Sequence, residues 1–116
     1  MITPHNLEEY YVRIGRLKQR YLSERFEQDL PEFRSHLEAA GWFRGLFAAD
    51  FIFVEEMESA DANAGSYFLY DIIHDRELWE RRQSDLRLKG TAAGPGMLLC
   101  AQRVDIYADG SVQLAF

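Results

Sequence analysis

Apolar residues in the N-terminal stretch recur every three or four positions: Leu7, Tyr10, Tyr11, Ile14, Leu17, Tyr21, Leu22 and Phe26. That spacing predicts one long amphipathic helix with these side chains on a single face. Asn6 followed by Glu9 makes a capping box at its start, and Thr3 before Pro4 offers a second start. Glu9 with Arg13 and Arg20 with Glu24 then stand four apart on a solvated flank. Asp29, Pro31 and Glu32 mark a second helix with Phe33 and Leu37 inside, and Gly41 is its expected stop. Two antiparallel helices joined near Asp29 follow from this pattern.

Beyond Gly41 the period changes. Trp42, Phe43, Leu46 and Phe47 repeat at no clean interval and fit a turn or a short helix. Phe51, Ile52, Phe53 and Val54 are aromatic or β-branched, which predicts a buried strand closed off by Glu55 and Glu56. A loop over 60–65 leads into 67–73, apolar on both faces and expected at the centre of a sheet, hairpinned with 51–54. Charges crowd 75–89. A short helix from Asp75 carrying Leu78 and Trp79 is expected there, and an exposed strand ending in Leu86, Arg87 and Leu88 is the competing reading. Residues 90–96 read as a loop.

The final segment offers a choice of register. A two-residue turn at Asp109 and Gly110 would set Tyr107 opposite Val112 and Asp105 opposite Leu114, mixing charge into the apolar face. A three-residue loop, Ala108, Asp109 and a left-handed Gly110, sets Ile106 opposite Val112, Val104 opposite Leu114 and Gln102 opposite Phe116. Leu98 and Cys100 continue that face, while Arg103, Asp105, Tyr107, Ser111 and Gln113 form the outer one. Because a one-residue slip reverses every side chain, the pattern selects the three-residue loop.

Helices first and strands after predict the α+β class. The expected architecture is an N-terminal antiparallel helical pair packed on a C-terminal antiparallel sheet of about four strands, in one domain over 1–116. In element order, a curved sheet cupping the helices resembles the NTF2-like and cystatin-like arrangements, which implies a pocket between helices and sheet.

Charge and cysteine content narrow the function classes. A net charge of −6 over 116 residues argues against nucleic acid and anionic lipid as partners, and permits a basic protein. Cys100 is the one cysteine, so no internal disulfide is expected, and no Cys/His spacing suggests zinc. His5, His36 and His74 lie far apart with no HExxH or EF-hand spacing, so no metal is expected, and no other cofactor either. Gly94, Pro95 and Gly96 lack the lysine and hydroxyl of a phosphate-binding loop. The N-terminal residues lack a basic, then apolar leader, and no apolar run is long enough for a membrane span, so a reducing cytoplasm is the expected setting.

The candidate residues fall into two groups. Trp42, Phe43, Arg44, Phe47, Trp79, Arg81 and Arg82 mix aromatics with arginine, the composition of an interface hot spot; as core residues they would have no such role. Lys18 and Arg25 fall inside the apolar stripe of the first predicted helix, so they either snorkel to water or define a positive pocket. With Tyr67, Tyr70 and His74 they would line a site for a small anion, His74 serving as general acid or base. His74 equally reads as a strand-end histidine beside the cap of the next helix, and Asp71 points to the other face of a regular strand. Glu55, Glu56, Glu58 and Asp61 read as a solvated acidic cluster, and Cys100 as a small core hydrophobe. No catalytic motif is present. The leading expectation is a small interaction or accessory domain, of which immunity proteins are one type, that binds another protein or itself as a homodimer. A small-ligand binder or simple acid–base enzyme is the alternative.

Overall fold

A computed structural model describes residues 1–58, 65–92, 94 and 96–116. In chain order it contains a 3-10 turn (Leu7–Tyr10), β1 (Tyr11–Ile14), β2 (Gln19–Leu22), α1 (Glu24–Gln28), α2 (His36–Phe47), a second 3-10 turn (Ala48–Asp50), β3 (Phe51–Glu58), β4 (Ser66–Ile73), α3 (Arg76–Lys89), β5 (Ala101–Tyr107) and β6 (Val112–Leu114). The class is α+β. A four-stranded antiparallel meander runs β3-β4-β5-β6, and β1 pairs only with β2 in a separate sheet.

The last hairpin adopts the register that alternation selects. Ile106 faces Val112 and Val104 faces Leu114. Gly110 has φ +93°, and its amide donates to the Tyr107 carbonyl at 3.0 Å. A Cβ at this glycine would also collide with the Phe33 carbonyl, so the turn packs directly on the segment before α2. The apolar face does not extend as far back as expected. β5 begins at Ala101, so Cys100 is buried just outside it while Leu98 is 88% exposed. The strand pairing runs to Leu114, the Ala115 amide still donates to the Arg103 carbonyl at 3.0 Å in the same register, and Phe116 beyond it is largely in solvent.

The N-terminal helical pair is not formed. Residues 7–28 make a 3-10 turn, the β1–β2 hairpin and the short α1 instead. The three-and-four spacing is ambiguous here, because Gly15 weakens a helix interior by about 1 kcal/mol relative to alanine. Tyr10, Tyr11, Val12 and Tyr21 are strand formers besides. Gly15 (φ +74°) and Lys18 (φ +50°) bend the chain, and Val12 then pairs with Tyr21 and Tyr11 with Leu22. Without that first helix, the element order shared with NTF2-like and cystatin-like folds is lost.

The second predicted helix is displaced rather than absent. α2 starts after Ser35, whose hydroxyl accepts the Glu38 amide at 3.2 Å, and it passes through Gly41 to Phe47. Gly41 lies on the open side, where a Cβ would meet nothing, so it does not stop the helix. Ala39, Ala40 and Phe43 form the buried side, and Trp42, Leu46 and Phe47 pack beside them. The residues expected as a turn or short helix are therefore the second half of α2.

β3 also differs from its expected form. It continues through Glu55 and Glu56 to Glu58, with a bulge between Phe53 and Glu55, and as an edge strand it buries only Phe51 of the residues 51–54. β4 is central, and 69–73 are buried. α3 is helical throughout, with Asp75 capping the Leu78 amide at 3.1 Å and left-handed Gly90 closing it, so the competing strand is excluded. The expected 60–65 loop lies, apart from Gly65, outside the described residues.

One face of the sheet carries Tyr70, Ile72, Val104, Ile106 and Leu114 into a cluster with Leu22, Phe26, Ala39 and Phe43. The opposite face carries Asp71, which holds Arg103 at 2.9 Å and Arg82 of α3 at 3.7 Å. Among the described residues no helix is long and apolar enough to cross a membrane.

Candidate functional site

The structure divides the aromatic and arginine group between two helices. Phe43 is fully buried, its ring stacking on Phe51 at 5.3 Å, and Trp42 and Phe47 pack around Phe26. Arg44 is exposed over the Phe51 and Tyr70 rings. Trp79, Arg81 and Arg82 belong to α3, where Arg81 faces Glu77 and Arg82 reaches Asp71 and the Met97 carbonyl. Of this group Trp42 borders an open hollow, with Phe33, Met1 and three carboxylates, Asp29, Glu32 and Glu38.

The second group is partly assembled. Lys18 and His74 line one hollow of about 200 Å³ together with Arg13, Arg20 and Asp75. Arg25 lies elsewhere, over the Tyr10 ring and 3.8 Å from Asp29. Tyr67 stacks on Tyr107 at the far end of the sheet. Tyr70 is in the core, its hydroxyl 2.6 Å from His36 Nε2.

Local sequence explains how the hollow forms. The left-handed residues Gly15 and Lys18 turn the chain between β1 and β2, Arg16 lines one hollow and Lys18 the other, and Arg13 donates to the Lys18 carbonyl at 3.2 Å. His74 follows directly on β4, its amide donates to the Cys100 carbonyl at 2.8 Å, and Asp75 turns away to cap α3. Gln19 donates to the Gly96 carbonyl at 3.1 Å, fastening the hairpin to the loop before β5.

Gln102 sets the protonation pattern beneath. Its Oε1 accepts the Leu22 amide at 3.0 Å and lies 2.8 Å from His74 Nε2, while its Nε2 donates to the Leu22 and Ala115 carbonyls. With Oε1 fixed as acceptor, His74 carries its proton on Nε2 and leaves Nδ1 as the lone pair. Burial lowers the His74 pKa below its ordinary value, and nearby Arg20 pushes the same way against the Gln102 bond and Asp50. The ring also meets the Tyr11 and Tyr21 rings edge-on. Thus His74 is a neutral imidazole at neutral pH. Among the described residues the hollow's lining contains no hydroxyl or thiol nucleophile. Cys100 is buried, bonded to the Met97 carbonyl, with its pKa raised by burial.

This imidazole makes stability sensitive to acid. Its folded pKa lies below the unfolded value of about 6.5, so the unfolded chain takes up the proton first as pH falls. Its contribution is complete above that unfolded value and is lost as pH drops through the folded one. His36 shifts in the same direction, through burial and Arg44. Urea midpoints are expected to hold between pH 8 and 7 and to fall below about pH 6.5, less steeply in His74→Gln. Parallel pH profiles for variant and wild type would remove His74 as the cause.

A second hollow, about 520 Å³, adjoins the first through shared Leu17, Gln19 and Leu99, and adds Arg16, Gly96 and Leu98. Leu17 is 52% and Leu98 88% exposed. Among the described residues Arg13, Arg16 and Lys18 have no carboxylate within ion-pair distance, whereas Arg20 pairs with Glu8 at 2.9 Å and the Asp75 carboxylate is engaged as a cap. Arg13, Arg16, Leu17, Arg20, Leu98 and Leu99 were not among the sequence candidates. The available signal was four cations within 13–20 flanking a glycine, which a helical reading scatters round the cylinder. Among the described residues no cluster of His, Cys, Asp and Glu is placed to hold a metal ion.

Comparison with protein-family models, curated proteins and solved structures gives no match to this chain.

Proposed function

We propose that this protein is a small cytoplasmic interaction domain that binds an acidic surface of another protein through the end formed by the β1–β2 turn and residues 96–99. One observation carries the reading. Arg13, Arg16 and Lys18, without carboxylate partners among the described residues, line two adjoining hollows with exposed Leu17 and Leu98 in a chain of net charge −6. Clustered cations beside apolar side chains are suited to steer and then bury a complementary partner. The Trp42 region is less suited to this role, since Phe43 lies in the core and Trp42 and Phe47 pack against it.

The test compares wild type with Arg16→Glu/Lys18→Glu as immobilised baits in extract from the native host, with folding checked by circular dichroism. A partner held by wild type at low salt should be released at about 0.5 M salt, where the Debye length falls to a few ångströms. The double variant should fail to hold it. Equal retention by both baits overturns this surface. A second reading, a small-anion binder, is favoured by Lys18 and His74 lining one hollow. A homodimer through the same end is a third outcome, visible as concentration-dependent mass.

A further inference from the structure

We infer that the two adjoining hollows recognise the C-terminus of a partner chain: the α-carboxylate in the cationic hollow, and a large apolar last side chain in the neighbouring one. This rests on the interaction reading above and names its ligand chemistry.

The sizes are unequal in the way such a ligand requires. A hollow of about 200 Å³ takes a carboxylate with a water or two and excludes a continuing strand or helix. Its neighbour, about 520 Å³, is roomy enough for a leucine, phenylalanine or tryptophan side chain. The two share the walls formed by Leu17, Gln19 and Leu99, so charge and apolar group must lie close together on the ligand. At a chain terminus the carboxylate and the last side chain leave the same Cα, which is the shortest such separation a polypeptide offers. Recognition of terminal carboxylates by converging donors is a recurring binding mode.

The donors are available. Lys18 and Arg13 line the smaller hollow and have no carboxylate partner among the described residues, whereas Arg20 is engaged by Glu8 and the Tyr11 ring. Charge-assisted bonds from such cations to a carboxylate are stronger than neutral ones. Asp75, the one carboxylate on the wall among the described residues, already accepts the Leu78 amide. The apolar wall is equally unsatisfied, because Leu98 stands almost wholly in water.

The probe is an octapeptide of glycine and serine ending in leucine with a free carboxylate, titrated into the ¹⁵N-labelled full chain and followed by NMR. The expected result is a set of shifts confined to Lys18, Gln19, Leu99 and their neighbours, weakened at least tenfold when the same peptide carries a C-terminal amide or ends in glycine. Leu98→Ser and Lys18→Glu should each weaken the free acid by a similar factor, while Arg81→Ala leaves it unchanged. Amide and acid binding equally well, shifts elsewhere, or no shifts would overturn the inference. So would decanoate binding here more tightly than the peptide, since that assigns the hollows to a lipid acid. A charge-sensitive partner in the extract experiment alongside a silent peptide titration would leave the interaction reading intact and reject only the terminal carboxylate. Failure of both would reject both.

Discussion

Replacing Gln102 with leucine is expected to remove about 3–5 kcal/mol of stability, a large part of the roughly 5–15 kcal/mol that holds a domain together. The change preserves volume, so no cavity forms and the loss is polar. Gln102 is fully buried and satisfies both backbone groups of Leu22, the Ala115 carbonyl and the His74 ring. Leucine would leave the Leu22 N–H and C=O facing apolar atoms, and each such orphan costs about 1–3 kcal/mol. His74 and Ala115 are partly reachable by water, which keeps the sum below the simple total. Urea unfolding measures it. A loss under about 1 kcal/mol would mean that the amide is a bystander and other contacts hold the hairpin.

The second large effect is Phe43→Ala, expected to cost about 3–5 kcal/mol through lost burial and the cavity left behind. Phe43 has no exposed surface and meets five other aromatic rings: Phe26, Phe33, Trp42, Phe47 and Phe51. Those rings come from α1, the segment before α2, α2 itself and β3, so little can collapse into the gap without moving several elements. Leu98→Ser is the control. With Leu98 in solvent, it should change stability by no more than about 0.5 kcal/mol. Thermal unfolding of both variants checks the contrast, and a near-neutral Phe43→Ala would contradict the packing described for α2.

The two variants also mark where sequence reasoning ran out. Phe43 and Trp42 look like interface residues only if 42–47 is a loop, and whether it is depends on Gly41. A glycine ends a helix when its left-handed freedom is used; here it sits on the open side and stays helical. Gln102 was assigned to the inner face, but its partners lie in β2, 80 residues away in sequence, and no local pattern announces such a bond. The N-terminal segment was misread for the same reason. Apolar residues at intervals of three and four fit a helix, yet Leu22 is secured by Gln102 from another part of the chain. By contrast, β5 and β6 were legible because a slipped register would bury Asp105, and α3 because Asp75 and Gly90 bracket it. Lys18 and His74 were each recognisable as polar residues in unusual settings. Their meeting, and the leucines beside them, depended on a hairpin that the helical period concealed.

The isolation of β1–β2 from the main sheet has a dynamic consequence. Among the described residues no backbone hydrogen bond joins these strands to the meander; the polar links are the side-chain amides of Gln102 and Gln19. A unit fastened in that way can lift as a whole while its own ladder stays closed, a sub-global opening well below the cost of unfolding β4 and β5. Gln19 is therefore a latch as well as a wall. Anything seated between the turn and residues 96–99 would close it, stiffening the hairpin without altering a single strand pairing.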